Sequence, residues 1–370
     1  MELRSCSFNQ ANISTFTSES EGIRILNSTV YYTIFNARAG YDGIEVIDSI
    51  LRNFTVINDG NSATFKITTS NAINGTIAFT SLTTTIVSSV VRDVVFSSAN
   101  PWASSSAFYF QNSTMNNISI NGYLPSGTWF YQNFLFSVSI RNCSFNLGTI
   151  IFHRYMRSSI IMRDSTLNKV NITTIVPNDN NYYDYNYGSL IVRNTEFTHG
   201  VLYVPSMTAD VTYTNITLAQ TPFAMSRNSR IVCSSIGRSG LIPQANTIGL
   251  NVTSITVQNS TIKNFATGIR INPWDIYSVN ISRTNFQSIS QIYVDNKGYG
   301  DVVATGNYWG TNNVVVIQGN IIDYWDDIHY GEVLFNNYAP SSLAAETGCA
   351  AYDSTVYDPA LQTTSPYYGK

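Results

Sequence analysis

FYFQNSTM at 108–115 is followed by SVSIRNCSF at 137–145, SIIMRDSTL at 159–167 and SLIVRNTEF at 189–197. Each is a short run of alternating apolar residues, then Asn or Asp, a small residue, one variable position and a large apolar residue. The unit returns as IRILNSTV (23–30), IEVIDSIL (44–51), VVRDVVF (90–96), VTYTNITL (211–218), SITVQNSTI (254–262) and VNISRTNF (279–286). Period-two alternation marks a strand with one buried face. Asn and Asp suit the tight turn that follows because they tolerate positive φ. The turn positions are Asn27, Asp48, Asp93, Asn112, Asn142, Asp164, Asn194, Asn215, Asn259 and Arg283, with weaker members near Ser5, Asn74, Ser234 and Asn307. Steps of mostly about 19–25 residues, two of them near 30, are the spacing of coils.

A short strand cannot bury its apolar face alone, so strands at a constant period stack, each pairing in parallel with its equivalent one coil away. The expected fold is therefore all-β: a right-handed parallel β-helix, a solenoid of about 14 coils with a short irregular C-terminal tail. Left-handed versions use shorter, hexapeptide-based coils. Residues 1–310 are assigned to the β-helix, 311–340 to a C-terminal closing segment and 341–370 to an irregular tail. The first residues already read as the middle of a coil, so either upstream sequence or another subunit is expected to cover that end.

The coils, together with ATGNYWGTNN at 304–313, IIDYWDD at 321–327 and GEVLFNNYAP at 331–340, resemble the right-handed parallel β-helix repeat proteins of the pectin-lyase-like superfamily that carry an NYWG-type closing segment. The resemblance covers about residues 1–340. It implies fold firmly and activity hardly at all, since the subset with this closing segment includes many non-enzymatic surface proteins.

Charged residues make up only 12% of the 370 and the net charge is -3, with no Lys/Arg cluster, so nucleic acid is not an expected partner. No apolar run approaches the roughly 20 residues of a membrane helix; VVVI at 314–317 is strand-sized. The aromatic content, 13%, is too high for a disordered chain. Four cysteines without CxxC spacing and three scattered histidines argue against a metal site, and no cofactor is expected. Cys6 and Cys349, near opposite ends, are candidates for a disulfide joining successive subunits.

Twelve positions satisfy N-x-S/T: Asn12, Asn27, Asn53, Asn74, Asn112, Asn117, Asn142, Asn171, Asn215, Asn251, Asn259 and Asn280. With 40 Asn in the chain, chance alone supplies about 8 or 9. Turn chemistry and Asn ladders between coils account better for the turn column, where Asp48, Asp93 and Asp164 cannot carry a glycan. Asn12, Asn53, Asn117 and Asn171, five to seven residues past the turn, are the better glycosylation candidates.

A polysaccharide-cleaving β-helix needs carboxylates that recur one coil apart on the outer face. Asp179, Asp184, Asp210, Asp275, Asp295 and Asp301 show no such spacing apart from Asp275 with Asp301, and Asp323, Asp326 and Asp327 fall in the closing segment, where a capping role is expected. Arg141, Arg163 and Arg193 each precede a turn residue; a basic stripe and solvated arginines that roughen a sheet surface are the two readings. Two lengthened coils carry aromatic residues. Trp129 and Tyr131 in one, and Tyr182, Tyr183, Tyr185 and Tyr187 in the other, suit a sugar or protein partner, or simply pack on the rod.

The expected function is a secreted or cell-surface, non-catalytic structural or adhesive β-helix glycoprotein, a subunit of a fibre stacking end to end. Alternatives are a polysaccharide lyase, hydrolase or epimerase with a groove on the β-helix side, and a carbohydrate-binding surface module. Self-association and glycans are the expected partners, with no membrane span.

Overall fold

The computed structural model describes residues 2–15, 22–37, 43–58, 63–79, 82–98, 105–122, 135–153, 157–175, 188–205, 207–226, 228–240, 242–273, 278–344 and 349. They form a parallel β-solenoid of the right-handed type, with a single short helix, Val314–Gly319. One wall is a sheet of 15 strands. The strands at its ends, Glu2–Arg4, Val302–Val303 and Val333–Leu334, are only two or three residues long. Full turns number about 11, fewer than the coils inferred from spacing.

Every coil obeys one rule. A residue with positive φ ends the strand of the long sheet: Asn27, Asp48, Thr69, Ser88, Asn112, Asn142, Asp164, Asn194, Tyr213, Cys233, Asn259 and Arg283. In these coils, apart from those of Tyr213 and Cys233, the chain turns again five residues later at a second such residue, for example Tyr32, Asn53, Asn74, Asp93 and Asn117. The strand Ile50–Asn58 thus bends at Asn53, and the pairing with the next coil runs Arg52 to Ile73, then Phe54 to Gly75, passing over the bend.

This geometry corrects the frame of several coils. Asp93 and Asn74 occupy the second turn column, and the first-column residues of their coils are Ser88 and Thr69. Tyr213, Cys233 and Gly306 hold the first turn where Asn215, Ser234 and Asn307 were expected. Asn and Asp favour both columns, so their presence does not say which one is being read. Thr, Tyr and Cys do not advertise a left-handed conformation at all.

Two residues before the first turn points a side chain into the core, and three residues after it points another. The first set stacks Ile25, Val46, Ile67, Ile86, Phe110, Ile140, Met162, Val192, Val211, Ile231, Val257 and Ile281 in register, all buried. The second contains Val30, Leu51, Ala72, Val91, Met115, Phe145, Leu167 and Phe197, and continues to Phe286. Each aliphatic or Phe side chain removed from water contributes roughly 1.5–3 kcal/mol, gained only when neighbouring coils are present.

The closing segment continues the same columns. Asn285 bridges to Tyr308, so Trp309 sits one rung beyond Phe286, its ring stacked on that Phe at 4.7 Å and fully buried. Asn307 donates to the Ile281 carbonyl at 2.7 Å and accepts from the Thr284 N–H at 2.8 Å. VVVI at 314–317 is helical despite its β-branched residues: Asn313 caps the helix by accepting from the Val315 N–H, and Ile317 alone of the helix is buried. Val333–Leu334 and Ile321–Ile322 then supply the last described rungs of the two walls.

Candidate functional site

The residue after the first turn is Ser28, Ser49, Ser70, Ser89, Ser113, Cys143, Ser165, Thr195, Thr214, Ser234, Ser260 or Thr284, and every one is buried. Its hydroxyl donates to the carbonyl two residues back, as Ser28 does to Leu26 at 2.7 Å and Ser89 to Val87 at 2.7 Å. In most coils it also accepts the N–H of the equivalent residue in the preceding coil: Ser28 N–H to Ser49 at 3.0 Å, Ser49 N–H to Ser70 at 3.0 Å, Ser70 N–H to Ser89 at 3.2 Å. A backbone N–H left unpaired by the turn is satisfied by a side chain one rung away. Cys143 takes the place in one coil, and burial pushes its thiol pKa up.

The turn residues bond outside this inner ladder. Asn142 donates to Asn112 at 2.8 Å, Asn194 to Asp164 at 2.8 Å, Asn117 to Asp93 at 2.7 Å and Asn74 to Asn53 at 3.2 Å, while Thr69 donates to Asp48. On the outer face of the long sheet, Glu2, Arg24, Glu45 and Lys66 follow one another in register. Arg24 and Lys66 each lie 2.9 Å from a Glu45 oxygen, and these partners, Lys66 first, hold the Glu45 carboxyl below its usual range.

The glycosylation candidates divide accordingly. In Asn27-Ser28-Thr29, Asn112-Ser113-Thr114, Asn142-Cys143-Ser144 and Asn259-Ser260-Thr261 the tripeptide is a turn residue, a buried ladder residue and the first residue of a strand. The coil itself therefore writes the motif. Asn53 and Asn117 are second-turn residues, and the Asn117, Asn74 and Asn142 amides donate within ladders. Asn251 is half-buried with an enclosed carbonyl oxygen. Asn12 is exposed and accepts from Asn36 at 3.0 Å. Asn171, Asn215 and Asn280 are exposed strand residues outside both turn columns.

Asp210 lies 2.8 Å from Arg193, and Asp295 is buried with one oxygen 2.7 Å from Arg270. Asp275, Asp179 and Asp184 lie outside the described residues, as do Trp129, Tyr131, Tyr182, Tyr183, Tyr185 and Tyr187. Arg141, Arg163 and Arg193 stack on consecutive rungs, and Arg163 is buried rather than solvated. Cys349 is disulfide-bonded to Cys233, which corrects its expected pairing with Cys6 of another subunit; Cys6 is a free thiol in the ladder position. A free thiol in a residue of Ser size gave no signal that Cys6 and Cys143 substitute for ladder serines, and the tail's return to Cys233 had no spacing signature.

An open groove of ≈ 520 Å³ that brings polar and apolar groups together lies on the closing segment, lined by Tyr299, Asp301, Tyr324, Ile328, His329 and Glu332 among others. Buried Asp323 fixes the loop beside it, accepting from the Trp325 N–H at 3.1 Å and the Val333 N–H at 2.9 Å. Asp301 accepts from the Glu332 N–H at 2.9 Å, and the Trp325 indole donates to the Glu332 carboxylate at 3.3 Å. The backbone N–H of His329, then its ring, holds the Asp327 carboxyl below its usual range. The string DYWDDIHY at 323–330 carries the signal for this site, but as part of a closing segment it reads as a cap.

No known family model, curated protein or solved structure matches the chain.

Proposed function

We propose that the chain is an extracellular or cell-surface, non-catalytic β-helix glycoprotein that acts by its shape, as a structural or adhesive rod able to self-associate end to end. We also place it with the pectin-lyase-like superfamily, on the rung grammar and the NYWG closing segment. The observation that carries the functional reading is the use made of the turn side chains. Coil after coil commits them to the neighbouring coil. The Cys233–Cys349 disulfide supports an oxidising compartment.

Electron microscopy of natively sourced protein tests the rod. Filaments or end-to-end chains of rods support the reading, and isolated rods at high concentration reject self-association. Release of reducing ends or unsaturated products from a polysaccharide panel would overturn the non-catalytic assignment. The carbohydrate-binding alternative is favoured by the groove on the closing segment, where exposed aromatic rings and carboxylates meet.

A further inference from the structure

We propose that the groove on the closing segment binds an uncharged, pyranose-containing glycan, a proposal that deepens the adhesive reading above and rests on it for its setting. Large side chains that line the groove stand in water, Tyr299 62% exposed, Tyr324 44% and Ile328 75%, and Trp325, 73% exposed, lies beside them with its ring 5.6 Å from that of Tyr324. Clustered exposed apolar groups on a folded surface mark an interaction site.

These rings are displayed by a fixed loop. Asp323 is buried and takes two backbone N–H groups, Asp326 accepts the Asp323 N–H at 3.1 Å, and Asp301 ties the Glu332 N–H across from a neighbouring coil. Side chains held by such a frame need little ordering on binding, which lowers the entropic cost of association. A flat aromatic face matches the C–H face of a pyranose ring, and the sugar's equatorial hydroxyls then reach outward to acceptors. Asp301 and Glu332 line the same groove and supply them. The Trp325 indole engages one Glu332 oxygen, linking the ring on the rim to the acceptor on the wall.

Charge selects the class of sugar. The lining contains two carboxylates and no Lys or Arg, and His329 turns its Nδ1 to Asp327 at 2.8 Å. Uronates and sulfated or sialylated glycans would meet the like charge of Asp301 and Glu332. A neutral sugar meets acceptors only. The volume, ≈ 520 Å³, falls within the roughly 300–1,000 Å³ of small-molecule sites.

Native gels of the full chain cast with a neutral β-glucan, a galactomannan or a mannan, beside gels with polygalacturonate, test this directly. Retardation by at least one neutral polysaccharide and none by polygalacturonate is expected. Tyr324→Ala and Tyr299→Ala should each weaken retardation at least tenfold while circular dichroism and Tm stay unchanged. Retardation by polygalacturonate alone, by no neutral polysaccharide, or undiminished in both variants would overturn the proposal. Cleavage of a retarding polysaccharide would keep the site and reject the non-catalytic reading, whereas absence of binding with filaments present would do the reverse.

Discussion

Replacing Ser70 by Ala removes a single oxygen from the inner ladder and leaves the surface untouched. That hydroxyl donates to the Thr68 carbonyl at 2.7 Å and accepts the Ser49 N–H at 3.0 Å. The Thr68 carbonyl keeps a second partner, the Asp48 N–H at 3.2 Å. The Ser49 N–H is buried and left with none. Orphaning a buried N–H costs about 1–3 kcal/mol, so we expect Ser70→Ala to destabilise by about 2 kcal/mol. Ser70→Cys, which copies the natural arrangement at Cys143, should recover part of that loss because a thiol accepts only weakly. Solenoid coils feel chiefly their neighbours, so the loss should be local. Hydrogen exchange followed by mass spectrometry should show peptides covering 43–98 exchanging about 30-fold faster, and peptides beyond 230 unchanged. A urea midpoint within error of wild type, or Ser70→Cys as damaging as Ser70→Ala, would refute the ladder as a source of stability.

If the protein is glycosylated in its native source, peptide mapping should find the sugars at Asn171, Asn215, Asn280 and Asn12. Occupancy at Asn74, Asn117, Asn142 and Asn251, whose amides are committed or enclosed, should be low; the reverse pattern would contradict the ladder assignment. Under non-reducing conditions the chain should run as a monomer and yield a peptide joining Cys233 to Cys349, with Cys6 alkylated readily and Cys143 only after unfolding; a Cys6-linked dimer would restore the intersubunit bridge. Glu45 is held below the ordinary carboxylate range, so its contribution is complete above that range and disappears as pH falls through its lowered pKa. Glu45→Gln should therefore cost up to about 1 kcal/mol at neutral pH and nothing in strong acid, read as a Tm difference between variant and wild type.

Alternating apolar residues at a constant step were enough to call a parallel β-helix, because a stacked coil must repeat its inward positions: Ile25, Val46 and Ile140 are as visible in the sequence as in the core. The frame of individual coils was less legible. Thr69, Ser88 and Tyr213 adopt left-handed φ because rungs above and below impose it, a tertiary override that no local preference announces. The serine after each turn was seen as a small residue; that it is a bonded partner for the previous coil requires two coils at once. The groove was hidden for a similar reason, since Tyr299 and Asp301 lie in one coil and Tyr324 and Glu332 in a loop more than 20 residues on, and only their stacking makes a site. Trp309 was noticed as part of a motif, whereas its role as the last member of the Phe286 column follows from register alone.

The fixed interval between the two turn columns also divides the coil into a rigid part and a free part. From Asn27 to Tyr32, Asp48 to Asn53 and Asn112 to Asn117 it is five residues, yet successive first turns are separated by anything from 19 residues (Thr69 to Ser88) to 30 (Asn112 to Asn142). In the coils that start at Asn27 through Asn194 that variation falls between the end of the second wall and the return to the long sheet, whereas the Cys233 coil lengthens within the second wall, between Ser235–Arg238 and Ile248–Val252. One edge of the solenoid can therefore lengthen or change its sequence without disturbing a single rung. Foreign peptides inserted there, coil by coil, would form a row along the rod at the spacing of its strands, which makes the chain a ruler on which recognition elements can be arrayed.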